Sequence, residues 1–458
     1  MQIAFIIPPS PQRRNIIRMI DCSHEAKANY LWQPNDLMII SSILDPSDGA
    51  VFIDGTADGL TERRFLRELD QVNGDLLITA LSSVCWESDY YYFQKIRRRF
   101  PHIPLYVLGD IFLDERYRRV ILQECAGIIV NPYQLDLSRM AAAVAHETLP
   151  GVCTRAGRAL FPEGKRALFV SSRPPRHELF LKKGYRFPFA HHLRFATVTT
   201  MWGCPFLCTY CSDSNFPPVV RLYKDVLEEL QQVRGLGIEE LFFADKVFGY
   251  SRENIYPLLE EMAAQFHFSW SCYFHPQLYD PMLIDLMRSA GCHTMIIGVD
   301  SADISSLQQY KRRVDKKKIE QLVEHASRIG ISVCADFILG LSHETAEDIE
   351  RTIQYALALS IDFASFNVAA PLPGSDIREQ GMSTGMLRFG NEGFDTCGRM
   401  GVLGNRNVSA DQLRRLRRKA LWSFYLRPAY LWRRLRRTRS LEHLWIQVQE
   451  MITMIRKI

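Results

Sequence analysis

Cys204, Cys208 and Cys211 stand in C-x3-C-x2-C spacing inside Met201-Trp202-Gly203-Cys204-Pro205-Phe206-Leu207-Cys208-Thr209-Tyr210-Cys211. Thiols this close in sequence converge on one centre only if the backbone between them closes into a tight loop. The motif therefore constrains the fold before any element is assigned. No fourth ligand follows nearby; the next downstream are His267 and Cys272. A structural zinc site takes four protein ligands, and a four-iron cluster usually four cysteines. Three ligands imply a cluster with one iron open to a group that is not protein. Three unrelated buried cysteines, or part of a zinc site, are the alternatives.

The surrounding pattern is α/β throughout. In residues 1–150 short apolar runs at 3–7, 50–53, 75–80, 105–108 and 127–130 alternate with helical stretches at 36–44, 61–72, 86–99 and 115–124. This alternation predicts a doubly wound, Rossmann-like domain with a parallel sheet covered on both faces. Ligands bind such sheets outside the carboxyl ends of the strands, here at 8–10, 54–55, 81–83 and 109–110. Residues 151–190 carry Pro162, Pro174, Pro175 and Pro188 and read as a linker.

A second series covers 191–380. Strands are expected at 195–200, 240–244, 269–273, 294–299, 332–339 and 363–368. Helices are expected at 220–234, 253–265, 281–290, 316–329 and 346–359. Six repeats make a partial (β/α)6 barrel, and the cysteine triplet follows its first strand, at the rim where barrel sites are built. Residues 381–458 form a glycine-rich loop and a helical tail, in which Leu441, Leu444, Trp445, Val448, Ile452 and Ile455 recur at helical spacing and predict one packed face.

Length favours two or three domains. No apolar run is long enough to cross a bilayer, and the first residues read as a buried strand rather than a leader. Eleven cysteines, scattered apart from the triplet, suit a reducing cytoplasm. The net charge of +5 is unevenly placed. Residues 411–439 hold eleven Lys or Arg against one acid, so that segment is +10 and the rest of the chain −5. Within 414–439 arginines alternate with Trp422, Phe424, Tyr425, Tyr430 and Trp432. This reads either as a solvated helix covering the barrel or as a peripheral membrane contact. No nucleic-acid recognition motif is present.

Gly203 and Pro205 flank the first cysteine, and aromatic Tyr210 precedes the last. In this the triplet resembles the radical S-adenosylmethionine (SAM) superfamily. The resemblance implies a [4Fe–4S] cluster on Cys204, Cys208 and Cys211, with SAM on the open iron. It also implies an external electron donor of flavodoxin or ferredoxin type, and a 5′-deoxyadenosyl radical that attacks unactivated carbon. The order of parts resembles the cobalamin-binding branch, which includes enzymes of bacteriochlorophyll ring formation, hopanoid modification and natural-product methylation. Weaker signatures are Gly298-Val299-Asp300-Ser301, Phe337-Ile338-Leu339-Gly340-Leu341, Pro371-Leu372-Pro373-Gly374-Ser375 and Tyr425-x-Arg427-Pro428.

Carried over residue by residue, Tyr210 would lie near the adenine, and Asp300 and Ser301 would meet the methionine or ribose of SAM. Asp300 and Ser301 can equally cap the next helix. Ser82, Ser83 and Gly109 would contact cobalamin. The sequence departs from the branch in lacking D-x-H-x-x-G. It also has Gly109-Asp110 where two glycines are common and Asn131-Pro132-Tyr133-Gln134 where Gly-Glu-Gly-Glu is common. Asp245 and Lys246, after the second barrel strand, are candidates for substrate holding or proton transfer. His275 is a further candidate, with a structural role as its alternative.

The function expected is radical SAM chemistry, with cobalamin-dependent methylation of an unactivated carbon in a lipid or specialised metabolite. The alternatives are radical cyclisation, oxidation or rearrangement, and, from a different class, a non-catalytic iron–sulfur redox protein.

Overall fold

The computed structural model describes the chain apart from residues 20–23, 26–29, 143–148, 156–166, 388–393, 399–400, 429, 433–443, 446–447, 450–451 and 453–458. The first sheet holds β1 (Gln2–Ile7), β2 (Gly49–Asp54), β3 (Leu76–Ala80), β4 (Leu105–Leu108), β5 (Gly127–Ile129) and β6 (Val152–Cys153) in the order β2-β1-β3-β4-β5-β6. The first five are parallel, and β6 closes the edge antiparallel. Helices α1 (Asn35–Ile43), α2 (Glu62–Leu69), α3 (Trp86–Arg99) and α4 (Glu115–Ile121) supply the crossovers. Strand order reverses between β1 and β3, the switch point at which such domains bind ligands. Residues 152–153 thus belong to the sheet and not to a linker.

The second sheet is parallel and sequential: β7 (Phe195–Val198), β8 (Glu240–Phe243), β9 (Ser269–Phe274), β10 (Cys292–Asp300), β11 (Ser332–Leu339) and β12 (Phe363–Val368). Helices α5 (Tyr223–Gly235), α6 (Arg252–Gln265), α7 (Pro281–Ser289), α8 (Lys316–Ile329) and α9 (Ala346–Ala358) cover it, giving the partial barrel. Residues 220–221, expected to open α5, instead form a short strand, Val219–Arg221, between Met201–Trp202 and Leu168–Val170. Adjacent Val219 and Val220 favour extended backbone, and this small sheet ties the middle of the supposed linker to the cysteine loop.

The open side of the barrel, between β7 and β12, is closed from two directions. On one side α1 and the residues leading into it dock on β7 and the segment after it: Gln33 Nε2 donates to Phe195 O at 2.9 Å, and Trp202 Nε1 to Asp36 Oδ1 at 2.8 Å. On the other, α10 (Ala410–Tyr425) packs on β12, with Tyr425 Oη donating to Ala364 O at 2.8 Å and Arg417 Nε to Phe366 O at 3.0 Å. Arg427 Nη1 donates to Leu357 O at 2.8 Å, so part of the basic segment binds barrel carbonyls. Of the face expected in the tail, Leu441 and Ile455 lie outside the described residues. Leu444 and Val448 line the cavity described below, while Trp445 and Ile452 are exposed. Among the described residues no helix is long and apolar enough to cross a membrane.

Candidate active site

The cysteine loop leaves β7 through Gly203, whose φ of +76° admits a side chain poorly and whose Cβ would sit 2.3 Å from Pro217 O. Cys204 N then bonds Phe216 O, and Cys211 N bonds Cys208 O, closing the turn. The loop is held from outside by Thr209 N on Tyr310 O at 3.0 Å and Asp376 N on Thr209 O at 2.7 Å. Ser212 Oγ on Pro373 O and Asn215 Nδ2 on Gly374 O complete the clamp. The Pro-Leu-Pro-Gly segment is therefore an acceptor rail for this loop rather than a bare turn.

All three cysteines line one cavity of about 830 Å³ that fills the barrel lumen. Burial pushes the thiols of Cys208 and Cys211 up, with Asp213 adding to the effect on Cys211. Coordination to a metal is what makes such thiols thiolates. Among the described residues only His191, Glu240 and His293 gather three ligand atoms within 4.8 Å, the spread of a single-ion site. The cysteine triplet forms no such group, and three thiols without a fourth Cys or His in the loop suit a cluster with one open iron rather than a four-ligand zinc site.

Beside the cysteines lies a buried ionic group that the sequence reading missed. Arg312, 5% exposed, donates through Nε to Asp300 Oδ2 at 2.6 Å and through Nη2 to Gly298 O at 2.6 Å, and Nη1 meets His275 Nε2. Tyr210 Oη donates to the same Asp300 Oδ2 at 3.0 Å. A Cβ on Gly298 would fall 2.8 Å from Arg312 Nη2, so the glycine makes room for the guanidinium. That is the usual meaning of a glycine inside a strand. Asp300 has φ +65°, a left-handed conformation that aspartate tolerates better than most residues. Burial, with Arg312 adding, pushes the His275 imidazole down to about 2, so it is neutral. Its ring stacks on Phe206 at 3.9 Å. The arrangement offers a fixed cation to an incoming carboxylate next to the cysteine loop.

The other expected residues divide. Tyr210, Asp300 and Lys246 line the cavity, with Lys246 Nζ 3.9 Å from Asp213 Oδ2. Asp245 does not. It is fully buried and accepts from Thr200 N at 2.7 Å and from Thr200 Oγ1, and burial pushes its carboxyl up to about 6. Consecutive residues leaving a strand point to opposite sides, so only Lys246 faces the lumen.

Ser301 is also absent from the wall. Its hydroxyl donates to Glu344 Oε1 at 2.6 Å, and Asp303, not Asp300 or Ser301, caps the next helix. Ser82, Ser83 and Gly109 are turned into the N-terminal domain. Ser83 Oγ donates to Asp110 Oδ2 at 2.6 Å, Ser82 Oγ accepts from Val84 N at 3.1 Å, and Gly109 lies against Leu81 O. The carboxyl ends of β1, β2 and β3 hold the buried Arg18–Asp89 pair at 2.8 Å, with Arg18 Nη1 donating to Ser10 Oγ and Thr56 Oγ1 and Ser82 N to Asp89 Oδ2. The N-terminal domain reaches the cavity through Tyr30 and Trp32.

Residues 198–356 match the radical SAM superfamily. That stretch, which holds the cysteine loop and β8 to β11, is a radical SAM domain. An uncharacterized methyltransferase of Pyrococcus horikoshii is 26% identical over 94% of this chain and 94% of its own length. Bacteriochlorophyllide d C-8(2)-methyltransferase of Chlorobaculum tepidum is 25% identical over 40% of this chain and 44% of its own. The chain thus spans less than half of that second relative. Among solved structures, the radical SAM methyltransferase TsrM of Kitasatospora setae, determined with cobalamin and a [4Fe–4S] cluster bound, superposes with TM-score 0.64 at 16% identity. The match covers 84% of this chain and 75% of TsrM. The likeness to TsrM is one of fold and spans both the N-terminal sheet and the barrel.

Proposed function

We propose that this chain is a radical SAM enzyme that methylates an unactivated carbon of a lipid-like or other small molecule, with cobalamin as methyl carrier. The observation that carries the reading is the convergence of Cys204, Cys208 and Cys211 with the Arg312–Asp300–Tyr210 group on one buried cavity. When bound, the cluster and SAM supply a carbon-centred radical, and cobalamin supplies a transferable methyl group. The chain's own residues bind and orient. The three cysteines hold the cluster, Arg312 meets the methionine carboxylate, Asp300 fixes Arg312 and Tyr210, and Phe206 with neutral His275 walls off water.

Methyl transfer is supported by the methyltransferase names of the two relatives, and cobalamin by the fold shared with TsrM. Ser82, Ser83 and Gly109 stay as the proposed contacts of cobalamin, with Ser82 Oγ and Ser83 Oγ also bonded within the domain. The remaining parts of the proposal are a flavodoxin- or ferredoxin-type donor and a peripheral membrane contact through 414–439.

Anaerobic turnover with a reductant tests it. Formation of 5′-deoxyadenosine is expected, and S-adenosylhomocysteine alongside it selects methyl transfer over other radical chemistry. Cys208→Ala is expected to abolish SAM cleavage and lower iron content. Retained cleavage in that variant would overturn the site assignment.

A further inference from the structure

We infer that the barrel lumen takes the hydrocarbon chain of an amphiphile, its polar end at the cysteines and its chain running down to the seam beside α10. The position of the reacting end rests on the radical SAM reading above. The chain itself is read from the layering of the lumen.

Strand register sets that layering. Tyr273, Ile296, Cys334 and Phe363 lie level with one another on β9 to β12, and all four line the cavity. This level is apolar apart from one phenol and one thiol. Two residues further along, on the same face, come His275, Gly298, Asp336 and Ser365, and beyond them Asp300 and Asn367. Among these strand positions the carboxylates and the amide lie toward the cysteines, with Ile338 level with Asn367, and none lies at the lower level. Below the apolar level Trp32 and Phe187 line the cavity, and Phe187 stacks on Phe242 at 4.3 Å to form an aromatic floor.

The lumen does not end there. Its wall continues over Trp422 and Tyr425 to Leu426, Leu431 and Leu444, which line the same cavity and are 59%, 44% and 38% exposed. One apolar track thus joins the cluster end to the outer surface through the seam between β12 and the tail. A compact polar metabolite would occupy only the upper layers and leave this track unfilled. A chain removes it from water along its length, which is the driving force that scales with apolar area.

The test uses cis-parinaric acid, a fluorescent 18-carbon fatty acid, with anaerobically prepared cluster-loaded protein. Saturable one-to-one binding is expected, and octadecanoate should displace it at least about a hundredfold more effectively than octanoate, since each added methylene contributes. Ile296→Trp, which fills the apolar level, should weaken binding at least about tenfold. Ser365→Trp serves as a second obstruction if the first variant fails to fold.

Absence of saturable binding overturns the inference. So does equal displacement by the two acids, or unchanged affinity in a tryptophan variant with normal cluster absorbance. Deoxyadenosine formation by the unsubstituted protein checks the radical SAM reading separately. Its absence would sink that reading, whereas its presence without chain binding would sink this inference alone.

Discussion

Arg378 donates to Asp114 across 264 residues of sequence, through Nε at 3.1 Å and Nη2 at 2.9 Å, and both side chains are buried. Asp114 follows β4 of the N-terminal domain, and Arg378 follows the rail that clamps the cysteine loop. One ion pair therefore fixes the N-terminal domain against the active-site rim. Burial alone would raise the Asp114 carboxyl, but the Arg116 and Arg378 guanidiniums outweigh it and hold the carboxyl below its ordinary range. The two partners are not equivalent, because removing Arg378 leaves Asp114 its bond from Arg116 Nε at 2.8 Å, whereas removing Asp114 takes these two bonds from Arg378. Asp114→Ala is expected to cost about 3–5 kcal/mol and Arg378→Ala less. Denaturant unfolding of both variants and the double variant measures this. Equal losses would show that the pair is not the fixed point.

Arg312 sits where only geometry fixes its use. Arg312→Lys keeps the charge but loses the fork that holds Gly298 O and Asp300 together. The Michaelis constant for SAM should rise at least about tenfold, equivalent to about 1.4 kcal/mol. Gly298→Ala should do the same without touching any charge, because its new methyl occupies the guanidinium's place. Deoxyadenosine formation against SAM concentration reads both. A normal constant in Gly298→Ala would show that Arg312 does not hold SAM.

Much of this was legible in sequence where the signal is local. The cysteine spacing, the alternation of strands and helices, and the position of the triplet after β7 are read within short windows, and the order of β7 to β12 follows from right-handed parallel crossovers. Three things were not. Asp245 and Lys246 are adjacent, and sequence alone does not say which faces the lumen. Asp300, Ser301 and Asp303 are all good helix caps, and only the structure assigns the cap to Asp303. Arg312 is one of many arginines in the chain. Its one trace in sequence is the bare Gly298, which meant a neighbour's side chain and not a close ligand.

The exposed end of the lumen leads to a measurable property of the tail. Leu426, Leu431 and Trp432 are 59%, 44% and 59% exposed within the +10 segment 411–439. Such a surface should sediment with phosphatidylglycerol vesicles and not with phosphatidylcholine at about 0.1 M salt. Binding should be lost near 1 M, where screening shortens to about 3 Å. Trp432→Ser should weaken it at low salt. Equal binding to both vesicle types would rule out the electrostatic part of the contact.

At the opposite end of the barrel, Glu240 is buried with His293 Nε2 at 2.8 Å from Oε1 and His191 N donating to Oε2 at 3.0 Å. The two imidazole rings stack at 3.8 Å, and His192 lies close by. Burial is the largest cause of its shift and pushes the carboxyl up to about 8, against the lowering effect of the His191 backbone and the His192 charge. A carboxyl whose folded value is raised gives stability that is whole below its unfolded value and is lost as pH rises through the folded one. Between the ordinary glutamate value and about 8, this group should therefore remove up to about 1.4 kcal/mol of stability per pH unit. Glu240→Gln keeps an acceptor for His293 and takes away the titration. Melting temperatures measured anaerobically from acid to pH 8 should fall with a steeper slope in the unsubstituted protein than in Glu240→Gln. Parallel slopes would mean that the proton at this site rests on a histidine instead.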